Sequence, residues 1–277
     1  MQRVSKGYTI VEVLIFLAVS AIMFISATAL IKGRQANAQF SDTARNLSSK
    51  LQDWMNDAQT GFPGGVVGQN YCHIQGSKIR VDSGTPPPGY SPDCIFLGKA
   101  IQITDSTYNK DQASKFFAYS IFGRRVIASG PSAGELTTDL SEADPVAAIG
   151  NNGGHGGSAD LTEEYDMPAY ITVKKVTSSG VSNSHLAGFY NRFNTEQSTT
   201  SNGAEDLTPY QYDIDNKDPK SKDIFDCINN FGACAKPPQL TDWEVCITDD
   251  QYYAVISITS TSGIGVNTKL SFAGSCP

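Results

Sequence analysis

The sequence predicts an α+β protein in which one long N-terminal helix packs against a β-rich C-terminal head. Three observations lead there. Residues 8–31 form an almost uninterrupted apolar run. An apolar stripe recurring every three or four residues carries the helical pattern on to residue 60. From residue 66 onward, short runs of β-branched and aromatic residues alternate with turn-forming segments. The chain has 277 residues, 40% of them hydrophobic, and a mean hydropathy of -0.25. That balance describes a soluble body with room for one or two cores, so the apolar run is an anchor. The net charge of -7 repels nucleic acid and anionic lipid surfaces, which argues against direct nucleic-acid binding.

The elements follow in order. Residues 1–7, "MQRVSKG", form a short leader whose Arg3, Lys6 and amino terminus favour the cytoplasmic side. The head then faces outward, although Lys32 and Arg34 stand just beyond the span. Residues 8–31 make a helix of about 36 Å at about 1.5 Å per residue, enough to cross a hydrocarbon layer of about 30 Å. Within it, Glu12 is the one side chain charged at neutral pH. A carboxylate in hydrocarbon costs about 2.5–3.5 kcal/mol on insertion scales, so Glu12 calls for a cationic partner.

The stalk, residues 32–60, carries Ala36, Phe40, Ala44, Leu47, Leu51, Trp54, Met55 and Ala58 on one face. "TGFPGG" at 60–65 ends it. In the head, residues 66–277, strands are expected at 71–75, 78–82, 93–104, 115–129, 169–176, 187–193, 243–250, 252–260 and 267–274, the last three forming a meander. Two long loops are expected, 130–168, rich in Gly, Asp and Glu, and 194–240, polar with one small Cys loop, and they carry whatever individuality the surface has.

Six cysteines, Cys72, Cys94, Cys227, Cys234, Cys246 and Cys276, all lie in the head and none forms a C-x-x-C zinc pair. An even count beyond a membrane segment favours disulfides on an oxidising side. Proximity in sequence suggests Cys72 with Cys94, Cys227 with Cys234, and Cys246 with Cys276, while composition leaves the connectivity open. No catalytic set is expected. His73, His155 and His185 stand in unrelated contexts, so the chain reads as a non-enzyme without cofactor or metal. "DIDNKD" at 213–218 lacks the Gly and distal Glu of a calcium loop, and "GNNGGHGG" at 150–157 has no Lys to serve a phosphate.

Two processing routes compete for the N-terminus. A secretory signal would be cut after a small-x-small site, "ATA" at 27–29 or "ANA" at 36–38. The product would be a free secreted domain; the matching functional alternative is a membrane-tethered or secreted extracellular binding module that uses the long loops and does not polymerise. The other route rests on a resemblance. "KG" followed by "YTIVEVLIFLAVSAIMFISA" resembles the N-terminus of type IV pilins and pseudopilins, with Gly7 ending a basic leader, Tyr8 as the aromatic first residue, and Glu12 at the fifth mature position.

This resemblance covers about the first 35 residues. It implies cleavage after Gly7 by a prepilin peptidase, N-methylation of Tyr8, insertion as a single-pass inner-membrane protein, and assembly with other subunits through a membrane platform. In such a stack the Glu12 carboxylate meets the Tyr8 ammonium of a neighbour and sets the register. Pilus adhesion, protein secretion and DNA uptake are the family's settings. Ala29 stands where many major subunits have a kinking Pro, which points to a minor subunit, and the head is loosely similar to H-type minor pseudopilins.

Overall fold

The computed structural model describes residues 9–64, 70–75, 78–86, 94–106, 112–127, 133–137, 139–150, 157–178, 185–191, 207–212, 214, 218–229, 234–236, 242–261 and 265–276. For residues 29–33, 235–236, 260–261 and 265–267 the description is of the backbone alone. Two compact units are present, Met1–Thr43 and Ala44–Pro277. The boundary falls inside helix α1 (Ile10–Thr60), so the chain passes from one to the other without leaving helical conformation.

In the second unit, the last turns of α1 bury Ala44, Leu47, Leu51, Trp54, Met55 and Ala58, each no more than 1% exposed. The spacing of three or four residues puts all six on one face. The helix stops where its sequence tells it to. Gly61 takes φ +75°, the Phe62 N–H donates to the Asp57 carbonyl at 2.8 Å, and Pro63 follows. This is a glycine cap of the Schellman type, which satisfies carbonyls that would otherwise be orphaned.

Strands β1 (Asn70–Gln75) and β2 (Lys78–Ser83) pair as an antiparallel hairpin. A seven-stranded antiparallel sheet follows. It contains β3 (Cys94–Ile103), β4 (Lys115–Arg124), β5 (Val146–Ala147), β6 (Thr162–Asp166), β8 (Leu186–Asn191), β9 (Leu207–Tyr212) and β10 (Ala235–Lys236). Its order is β10-β9-β8-β3-β4-β5, with β6 pairing β4 beside β5. The third sheet, in order β13-β12-β11-β7, joins β7 (Thr172–Ser178) to the meander of β11 (Asp242–Thr248), β12 (Tyr253–Thr261) and β13 (Gly265–Ala273). The fold is α+β, with antiparallel sheets throughout the described head.

The central strand β3 is bulged between Phe96 and Gly98. The bulge shifts the alternation, so Leu97 and Ala100 both enter the core shared with the hairpin, while Lys99 reaches Asp57 on α1. Gly98 sits at φ +152°, and a Cβ there would lie 2.0 Å from the Phe189 carbonyl oxygen. Gly98→Ala is therefore expected to destabilise the head by about 2–3 kcal/mol, because backbone on the paired strand cannot yield as a side chain would. A urea midpoint unchanged from that of the unsubstituted chain would refute this.

Two expectations are corrected. The 130–168 segment is not a plain loop, since β5 and β6 lie within it. The 194–240 segment contains β9, helix α2 (Lys222–Asn229) and β10. In β6, "TEEYD" has no apolar alternation because its acidic side chains form ion pairs with lysines. In β9, Pro209 hides the strand, yet it is tolerated because β10 pairs only with Gln211 and Tyr212 and leaves the edge at Pro209 free of that strand. Helix α2 is short but buries Ile224, Phe225, Cys227 and Ile228.

Candidate functional site

The first unit carries the N-terminal segment. Residues 1–8, including Arg3, Lys6, Gly7 and Tyr8, lie outside the described residues. From Ile10 to Thr28, 19 residues with mean hydropathy 2.6 form a helix long and apolar enough to cross a membrane. Its large side chains are exposed, among them Ile10, Phe16, Met23 and Phe24. In lipid this exposure is the favourable state, and the hydroxyls are dealt with internally. Ser26 donates to the Ile22 carbonyl and Thr28 to the Ile25 carbonyl, both at 2.9 Å. The alternative cleavage motifs at 27–29 and 36–38 both lie within α1.

Glu12 has a local role that the sequence reading missed. Its Oε2 accepts hydrogen bonds from the Thr9 backbone N–H and the Thr9 hydroxyl, both at 3.0 Å, while the Glu12 N–H donates to Thr9 Oγ1 at 3.3 Å. This is a capping box, T-x-x-E, in which the two side chains satisfy orphan donors of the first helical turn reciprocally. The signal was present as "TIVE" at 9–12. It supplies one reason for a carboxylate at this depth, separate from any cation on another chain.

The second unit carries a cluster of four charges under α1. Lys99, 1% exposed on β3, donates to Asp57 Oδ2 at 2.8 Å and also to Glu163 Oε1. The other oxygen of Glu163 accepts from Trp54 Nε1 at 2.9 Å and Lys50 Nζ at 3.1 Å. Lys50, Trp54 and Asp57 are spaced four and three residues apart and so share a helix face. Two ammonium groups and two carboxylates balance, which makes their burial tolerable. Gly64, at φ +78°, closes over the cluster so tightly that a Cβ would lie 2.8 Å from Glu163 Oε1.

The cysteines sit at bridging distance, with Cys72 joined to Cys94, Cys227 to Cys234 and Cys246 to Cys276, and Cα separations of 6.0, 5.3 and 5.7 Å. Cys72–Cys94 fastens the β1-β2 hairpin to β3, and Cys246–Cys276 ties the segment after β13 to β11. His185 is buried, its Nδ1 3.0 Å from the Ile103 carbonyl oxygen. His73 stacks on Tyr71 with Nε2 3.6 Å from Asp82. His155 lies outside the described residues, as do most of 150–157 and 213–218. Among the described residues no group of three His, Cys, Asp or Glu side chains is placed to hold a metal ion.

Two lowered carboxyl pKa values in the head predict that its stability falls in acid. Burial pushes the Glu163 carboxyl up, but the hydrogen bonds from Lys99, Trp54 and Lys50 and the Lys99 charge outweigh it and hold it below its ordinary 4.5. Asp160 is likewise pushed up by burial and brought below 3.8 by Lys220, at 2.6 Å, and by Thr162. A lowered folded pKa means that the unfolded chain binds more protons between the two values. The stability these groups contribute is thus complete above the unfolded value and lost as pH falls through the folded one. The urea midpoint should be flat from about pH 7 to about pH 5 and fall below about pH 4.5. Glu163→Gln should flatten part of that fall, and an unaltered slope would remove Glu163 from the account.

No family model, no curated protein and no solved structure matches this chain.

Proposed function

We propose that this chain is a pilin-like structural subunit, inserted in the inner membrane through its N-terminal helix with the head outward, and then assembled into a type IV pilus or a related pseudopilus. The carrying observation is the conjunction at the N-terminus of Gly7, Tyr8 and Glu12 with an apolar, exposed helix that begins at Ile10. Each feature has its own chemistry. Gly7 fits an extended segment into a protease cleft. Cleavage after it creates an ammonium at Tyr8, four residues from Glu12. Between neighbouring helices that ammonium and the Glu12 carboxylate neutralise one another in low dielectric. The helix supplies the filament core, and Ala29 in place of a kinking Pro suits a minor subunit. The partners are other subunits of the same filament, the peptidase and methyltransferase that mature the chain, the assembly platform and membrane lipid.

The test is the mass of the mature N-terminal peptide from the native envelope. A chain that begins at N-methylated Tyr8 is expected. A chain that begins after Ala29 or Ala38 would lack Glu12 altogether. It would favour the other reading, a released extracellular binding module.

A further inference from the structure

We propose that Lys99 and Asp57 condense into an amide that ties the end of α1 covalently to β3, with Glu163 as the proton carrier. The nucleophile, the electrophile and the carrier are already in contact. Lys99 Nζ touches Asp57 Oδ2 at 2.8 Å and also Glu163 Oε1, and the Lys99 side chain is 1% exposed. Contact of this kind converts a bimolecular condensation into an intramolecular one, the largest single advantage open to an otherwise slow reaction. Trp54 Nε1 and Lys50 Nζ hold the second oxygen of Glu163, which keeps the first on the amine. The Asp57 carboxylate is 29% exposed, which leaves the released water a way out.

The step balances without a co-reactant. Glu163 relays a proton from the Lys99 ammonium to an oxygen of Asp57, and the neutral Nζ attacks Cγ of the resulting carboxylic acid. The Nζ–Cγ bond forms and one Cγ–O bond breaks. The oxygen leaves as water carrying two of the three ammonium protons, the third stays on the amide nitrogen, and Glu163 ends as the carboxylate it began as. The charges left behind also balance. Lys99 and Asp57 vanish as ions together, so the ion pairs of Lys99 described above are those of the unlinked precursor. In the linked chain Lys50 at 3.1 Å and Trp54 remain the donors to Glu163, and the acid dependence carried by Asp160 and Lys220 is unchanged. No cysteine lies in α1, so the disulfides of the head leave the helix unfastened and this bond would be its covalent tie to the sheet.

The inference is independent of the filament reading, because its readout is a mass. Intact-mass measurement on the purified full-length chain, disulfides reduced and chain denatured, should give a value lower by one water than the sequence with the same N-terminus. Tandem spectra of a digest should contain a branched peptide joining Asp57 to Lys99. Lys99→Arg and Asp57→Ala should each restore the full mass, and Glu163→Gln should leave most molecules unlinked. An unmodified mass for the unsubstituted chain, with Lys99 open to trypsin after denaturation, would overturn the proposal whatever the variants do. So would a water loss that survives Asp57→Ala.

Discussion

Replacing Trp54 with Ala is expected to destabilise the head by about 4 kcal/mol, near the top of the range for large-to-small changes in a core. The side chain is 0% exposed, so the substitution removes a whole indole and opens a cavity beneath α1. It also removes the N–H that Glu163 accepts at 2.9 Å and the ring over which Lys50 Nζ sits, 5.2 Å from the centroid. Trp54→Phe separates the two contributions. Phe keeps much of the packing and loses the hydrogen bond to a charged acceptor, a loss of about 1.5–3 kcal/mol. Urea unfolding of the full chain in detergent, followed by the fluorescence of Trp243, measures both. A Phe variant as stable as the unsubstituted chain would mean that the indole N–H adds nothing to holding Glu163, and that packing alone fixes the helix.

The parts of the fold that were legible in the sequence are those governed by local periodicity. The stripe from Ala44 to Ala58 faces inward, and "TGFPGG" contains the Gly61 and Pro63 that end α1. Nine apolar runs coincide with β1–β4, β7, β8 and β11–β13. What escaped notice is what tertiary pairing makes possible. β6 has the sequence of an acidic loop and becomes a strand because β4 offers it an edge and lysines from α1, β3 and β4 neutralise its glutamates. β9 is masked by Pro209, and α2 by its shortness among polar neighbours. The charge cluster could not be read from spacing, since Lys99 and Glu163 are 64 residues apart. One sign of it was visible: a lysine inside "CIFLGKAIQI" is out of place in a buried strand unless an anion meets it. The capping box differs again, because it is wholly local and was legible in "TIVE".

That box makes the fate of Glu12 separable into two parts. Gln at the third helical position can still accept from Thr9, so Glu12→Gln preserves the cap and removes only the charge. Glu12→Ala removes both. If Glu12 neutralises the Tyr8 ammonium of a neighbouring subunit, either change leaves a cation unpaired in low dielectric at a cost of about 2.5–3.5 kcal/mol per subunit. At about 1.4 kcal/mol per factor of ten, incorporation into filaments should fall about a hundredfold for both variants. Maturation after Gly7 should persist, because the scissile bond lies five residues before the altered side chain. Immunoblots of sheared filaments against whole membranes read the first quantity, and the mass of the mature chain reads the second. If Glu12→Gln incorporates normally while Glu12→Ala does not, the carboxylate is there to start a helix, and the register reading fails. If both fail equally with normal maturation, the charge itself is what assembly requires. The two hydrogen bonds from Thr9 then serve to hold that charge at the N-terminal end of α1, where a neighbour's amine can reach it.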